Sequence, residues 1–177
     1  MVCFSYGHGT SCAEKQLGNQ QSELPERREI VAVLIVLFGS WLLFRGIGAL
    51  GYPAFATWHD AARYALAVMF TFTGISHFTK LKEDMVRMMP AGVPNPRLMV
   101  HITGVLELLG ALGILLPQTR MLAGICLILF LLAVFPANVK AAREKILLKG
   151  RPATPLWLRL PMQILFIGLI WWAGLRQ

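Results

Sequence analysis

Five apolar runs divide this chain: Ile30 to Leu50, Ala61 to Phe78, Leu98 to Leu116, Met121 to Phe135 and Leu156 to Leu175. About 20 apolar residues in helical form cross the hydrocarbon core of a bilayer. Within lipid, backbone N–H and C=O groups must be satisfied inside their own segment, which favours helices for runs of this length. The expected fold class is therefore all-α, a polytopic membrane protein with five candidate spans. Composition agrees, since 56% of residues are hydrophobic and only 15% charged, where a soluble domain has about 25% charged residues.

The formal charge of +8 does not point to nucleic acid, because the basic residues sit in the short connections and not on one amphipathic surface. If all five runs span, Lys15, Arg27 and Arg28 share a side with Lys80, Lys82, Arg87, Arg97, Lys140, Arg143, Lys145, Lys149 and Arg151. The other side holds Arg45, Arg63, Arg120 and Arg176, and Arg159 lies inside the last run. Twelve against four predicts a cytoplasmic N-terminus and an outer C-terminus by the positive-inside rule. Arg45 follows fifteen uninterrupted residues of the first run and has to snorkel toward the outer interface.

Residues 1–28 hold too little apolar content to pack and read as a mobile cytoplasmic tail. No basic n-region stands at Met1 and no small-x-small cleavage pattern follows the first run, so that run is kept as a helix and not as a signal peptide. Cys3, Cys12 and Cys126 form no CxxC, which argues against a dithiol centre. Cys126 is expected to be a small buried hydrophobe.

Pro90, Pro94 and Pro96 exclude a continuous helix between the second and third runs. Met85, Met88 and Met89 beside Lys82 and Arg87 suit a short amphipathic segment in the headgroup region, with a simple loop as the alternative. Thr154 and Pro155 read as N-cap and first residue of the last helix. Pro136 and Pro161 should bend their helices by freeing the carbonyls of Leu132 and Trp157. Beyond Pro136, Ala137 to Leu148 reads as an amphipathic helix whose Lys140, Arg143 and Lys145 face anionic lipid. Trp157, Trp171 and Trp172 fit aromatic belts.

One acid interrupts this pattern in the middle of the third run. A carboxyl group at membrane depth costs roughly 2.5 to 3.5 kcal/mol on insertion scales, so Glu107 should face the bundle interior. Thr103, Gly104, Glu107, Gly110 and Ala111 share one helical face, and small residues allow another helix to approach it. Ala67, Phe70, Thr73, Gly74 and His77 form a similar stripe on the second run. The topology stacks His77, Asn138, Arg159 and Gln163 in the cytoplasmic half, with Glu107 deeper. Glu107 lies about 13 Å into its span, Arg159 only about 5 Å and Gln163 about 10 Å, so Gln163 is the expected neighbour of Glu107. His101 falls almost opposite Glu107.

Two readings of these groups stay open. They line a pocket opening from the cytoplasmic leaflet, with Glu107 and His77 exchanging protons and Arg159 serving an anionic or carbonyl-bearing ligand. Alternatively they are interhelical polar glue, each contact contributing about 0.6 kcal/mol.

The strings FTFTGISHF, MMPAGVPNP, HITGVLELLGALGILLP, VFPANVKAA and LRLPMQ, in this order, resemble the DoxX-like family of small bacterial membrane proteins over about Ala61 to Ala173. Matching positions are His77, Pro90, Gly104, Glu107, Gly110, Pro136, Asn138, Arg159, Pro161 and Gln163. The resemblance implies a four-helix transmembrane bundle over 61–177, with an added N-terminal helix at 29–52. It also implies kinship with the membrane subunit of thiosulfate:quinone oxidoreductase, and so a quinone as the candidate cofactor.

The residues themselves supply no metal motif. His8, His59, His77 and His101 form no paired ligand set, which speaks against haem. The leading functional reading is a quinone-binding or redox-accessory subunit, and the alternative is a non-catalytic membrane scaffold or assembly partner. Expected partners are membrane lipid and either another membrane protein or a second copy of the chain. A transporter is disfavoured by the lack of an inverted repeat.

Overall fold

A computed structural model of the chain describes residues 26–144, 146–148, 151–152 and 155–175. The helices are α1 (Glu26–Ala49), α2 (Trp58–Ser76), α3 (Lys82–Met88), α4 (Pro96–Gly113), α5 (Arg120–Arg143) and α6 (Leu156–Ile170). A 3-10 turn at Pro53–Phe55 links α1 to α2, and α6 continues into a π-helical turn at Trp171–Leu175. The described strands are a two-residue antiparallel pair, Leu147–Leu148 with Arg151–Pro152. Among the described residues the secondary structure is thus all-helical apart from that clip.

Three segments are long and apolar enough to cross a membrane: Val31–Ala49, Arg120–Arg143 and Leu156–Leu175. The second and third predicted runs form α2 and α4 but fall outside that set. The reason is local, since α2 opens with His59, Asp60 and Arg63, and α4 carries Arg97, His101 and Glu107 within its 18 residues. Their outward faces are nevertheless apolar, with Phe72, Ile75, Leu106, Leu109 and Leu112 exposed.

Local chemistry sets the helix boundaries. The Thr57 side chain caps α2 by accepting the Asp60 N–H at 3.0 Å, and its hydroxyl donates to the Asp60 carboxylate at 2.6 Å, a reciprocal cap. Asn95 sits in the left-handed region at φ 48° immediately before Pro96, the first residue of α4. Asparagine is among the few residues that visit that region readily.

The sequence boundaries shift in three places. Helix α1 already begins at Glu26, inside the stretch predicted as tail, while Cys3, Cys12, His8 and the tail residues 1–25 lie outside the described residues. Helix α5 passes through Pro136 but ends at Arg143 and not at Leu148, because the chain turns into the short β clip. Pro155 is the N-cap of α6 and not its first residue, with the extended ψ that suits a cap.

Helix α2 is the centre of the packing. Its Ala62, Ala65, Leu66, Ala67, Met69 and Phe70 join Leu37 of α1, Ala111 of α4, Leu127 of α5 and Ile170 of α6 in one core. The alanines let neighbours approach closely, as expected where small residues line interhelical contacts. Helix α1 is an integral part of this core, although it presents Ile35, Leu42 and Leu43 outward. Cys126 is exposed on α5, contrary to its predicted burial. Its face of α5 carries Leu122 and Leu129 outward as well.

The predicted segment between the second and third runs is the short helix α3. Lys140 of α5 fastens it, donating from Nζ to the carbonyls of Met89 at 2.7 Å and Arg87 at 3.3 Å. A cation at the C-terminal carbonyls of a helix is favourably placed. Lys140→Met is expected to cost about 1 kcal/mol and to raise amide hydrogen exchange selectively over 82–89. Unchanged exchange there would show that α3 is held by other contacts.

At the opposite end of the bundle an aromatic cluster joins α1, α2 and the C-terminal turn. Trp41 meets Trp58 edge-on at 6.1 Å and Trp172 at 6.0 Å, and His59 stacks on Trp172 at 4.1 Å. Trp172 is therefore part of this cluster, whereas Trp157 and Trp171 are exposed. Arg45, expected to snorkel, lies 5.1 Å over the Trp58 ring, an arrangement that stabilises a cation beside apolar surface. Arg63 donates to the Ala173 carbonyl and pairs with Asp60.

Candidate functional site

Helices α2 and α4 run antiparallel and come close together at two glycines. A side chain on Gly104 would place its Cβ 2.6 Å from the His77 Cβ, and one on Gly74 would stand 2.9 Å from the Leu108 side chain. The absence of a side chain at both positions lets polar groups on the two helices touch. On α4, Gly104, Glu107, Gly110 and Ala111 are buried, as the face pattern predicts.

Glu107 is 5% exposed, and both of its carboxyl oxygens are engaged. The Thr73 hydroxyl donates to Oε1, and His77 Nε2 lies 3.2 Å from Oε2. The other imidazole nitrogen fixes the protonation pattern. His77 Nδ1 lies 3.0 Å from the Val100 carbonyl, which can only accept, so Nδ1 carries a proton. Thr103 completes the arrangement: its hydroxyl donates to the same carbonyl at 2.9 Å and its oxygen stands 3.2 Å from Nδ1.

One proton therefore bridges Nε2 and Oε2. The pair is either a neutral carboxylic acid donating to neutral imidazole or an imidazolium donating to carboxylate. With no proton between them, two lone pairs would face each other at hydrogen-bond distance. A buried carboxyl and imidazole in direct contact are the groups that proton transfer by a positioned acid or base requires.

The remaining predicted residues form a second cluster between α5 and α6. Arg159 donates to Asn138 Oδ1 at 2.8 Å. The Gln163 side-chain amide donates to the Leu131 carbonyl at 2.7 Å. That carbonyl precedes by one residue the Leu132 carbonyl that Pro136 was expected to free, so the amide binds one position before it. The expected contact between Gln163 and Glu107 does not form: Gln163 turns toward α5, and Glu107 is held by Thr73 and His77.

The structure thus joins His77 directly to Glu107, although depth alone separated them in the sequence. His101 faces elsewhere, against Phe78 at 5.6 Å between ring centres. Thr73 and Thr103 were visible as members of polar stripes but not as hydrogen-bonding partners. Their signal was the i to i+4 spacing, Thr73 to His77 and Thr103 to Glu107, on two facing helices. Among the described residues, no three of His, Cys, Asp and Glu converge as metal ligands.

A family model described as a domain of unknown function (DUF8561) matches residues 66–174. This stretch contains both polar clusters and begins within α2, leaving α1 outside it. No curated protein and no solved structure matches the chain.

Proposed function

The chain belongs to the DUF8561 family, whose description assigns no activity, and from the geometry of its own site we propose that it is a membrane subunit that binds a lipid-soluble quinone beside Glu107. The carrying observation is the buried contact between His77 Nε2 and Glu107 Oε2 at 3.2 Å, a geometry that requires one proton between them. Quinone carbonyls accept hydrogen bonds and take up protons on reduction, so a buried one-proton dyad within an apolar bundle has matching chemistry. Lipid access suits such a ligand, because the outer surfaces of the helices are apolar.

In this reading α2 and α4 cross the bilayer with the three longer apolar segments, as in a DoxX-like bundle with an added N-terminal helix. The chain sits in a bacterial inner membrane with its N-terminus cytoplasmic. The basic residues of α3 and the end of α5 then meet the cytoplasmic leaflet, where cations are favoured. Arg159 stands near the same leaflet as the cation for an incoming polar head.

Organic extraction of detergent-purified protein tests the proposal. Quinone is expected at roughly one equivalent in wild type and at background in Glu107→Ala. Equal background amounts in both sink it.

A second reading rests on the same contacts. Thr73, His77, Thr103 and Glu107 satisfy one another, which is what interhelical polar glue in a non-catalytic scaffold or assembly partner requires. Crosslinking in the membrane then recovers a stoichiometric partner or a second copy, and Glu107→Gln leaves cellular function intact.

A further inference from the structure

Glu107 and Gln163 are the buried polar residues among those described, and only Gln163 has an unsatisfied oxygen. It is 8% exposed, and its Oε1 is buried without a hydrogen-bond partner. An exchanged amide orientation does not cure this, because it would set Oε1 against the Leu131 carbonyl oxygen that Nε2 now meets at 2.7 Å. A buried acceptor without a donor is costly unless something supplies one.

Packing sets its level in the bundle. Helices α4 and α5 are antiparallel, since side chains on Gly110 and Gly113 would meet Leu127 and Ala123 respectively. Moving from Gly110 to Glu107 and from Leu127 to Leu131 is about one turn in the same direction, a rise of about 4.5 Å on α4 and about 6 Å on α5. Gln163, bonded to Leu131, therefore stands about level with Glu107. The two inward polar groups of the described chain occupy one layer, one on α4 and the other on α6.

We infer that Gln163 Oε1 is the second wall of the site and accepts a hydrogen bond from a hydroxyl group of the bound molecule. This rests on the quinone reading above and narrows it. A dione offers only acceptors and sets lone pairs against Oε1, whereas its hydroquinone donates an O–H to Oε1. The opposite hydroxyl of the hydroquinone meets Glu107, whose carboxyl oxygens keep lone pairs beyond those that Thr73 and His77 use. The site therefore selects the reduced, hydroxyl-bearing form.

The test is anaerobic titration of the full chain in detergent with decyl-benzoquinone and separately with its hydroquinone, followed by tryptophan fluorescence. Wild type is expected to bind the hydroquinone about tenfold more tightly, the scale of a lost hydrogen bond to a buried acceptor. Gln163→Met should bring the two affinities within about twofold.

Equal binding of both forms by wild type overturns the inference and leaves the quinone reading standing. A preference that survives in Gln163→Met also overturns it and assigns Oε1 to a structural water. Binding of neither form removes both the inference and the reading beneath it.

Discussion

Gly104→Val is expected to force α2 away from α4, to lower stability by about 3 kcal/mol and to lower the melting temperature by roughly 6 to 12 °C. The added Cβ would stand 2.6 Å from the His77 Cβ and 3.0 Å from the Phe78 ring. A Cβ is the stem of its side chain, so rotamer changes at His77 cannot relieve the clash and the helix itself must move. The same movement separates Nε2 from Oε2, so loss of the dyad should accompany loss of stability. Gly39→Ala is the control. No heavy atom lies within 4 Å of a Cβ there, and alanine in a helix is favoured over glycine by about 0.5 to 1 kcal/mol. Thermal melts in detergent should show a large fall for the first variant and none for the second. Similar behaviour of the two would mean that close approach at Gly104 does not hold the bundle together.

Glu107→Leu and Glu107→Gln should separate a hydrogen-bonded role for Glu107 from simple filling of space. Leucine leaves His77 Nε2 without a partner in a nearly closed site, a penalty of about 1 to 3 kcal/mol. Thr73 is less affected, because its hydroxyl can turn to the Met69 carbonyl at 3.1 Å. Glutamine donates from its amide to neutral Nε2 and accepts from Thr73 with its oxygen, reproducing the neutral form of the pair. The expected order of stability is wild type near Gln, with Leu lower. If packing alone mattered, leucine would equal or exceed glutamine, as apolar replacements of buried polar groups often do. Glutamine also lacks an exchangeable acid proton, so it should keep the fold while abolishing any proton exchange through the site.

The inward face of α4 was legible from the sequence because helical periodicity reports azimuth directly: Gly104, Glu107, Gly110 and Ala111 are all buried. The stripe on α2 was legible for the same reason. The partner of Glu107 was not, because residue counts measure backbone rise and ignore the lean of side chains. In a helix, side chains tilt toward the N-terminus. On antiparallel α2 and α4 the His77 and Glu107 side chains therefore tilt toward each other and close about one turn of separation. Gln163 shows the complementary limit. Its level was readable from spacing, but its choice of the Leu131 carbonyl depends on how α6 rotates against α5, which only packing decides. The helical reach of α2 and α4 was legible, while their charged ends keep them outside the set of long apolar helices.

The central claim is that His77 and Glu107 hold one proton between Nε2 and Oε2, with Nδ1 permanently occupied by the Val100 carbonyl. Nitrogen-15 NMR of selectively labelled histidine in the full chain, with His77→Gln for assignment, measures this directly. The account predicts a His77 Nδ1 that carries its proton in the folded bundle, an Nε2 that shares the single remaining proton with Oε2, and altered Nε2 behaviour in Glu107→Gln. A bare Nδ1 with a fixed proton on Nε2 would contradict it.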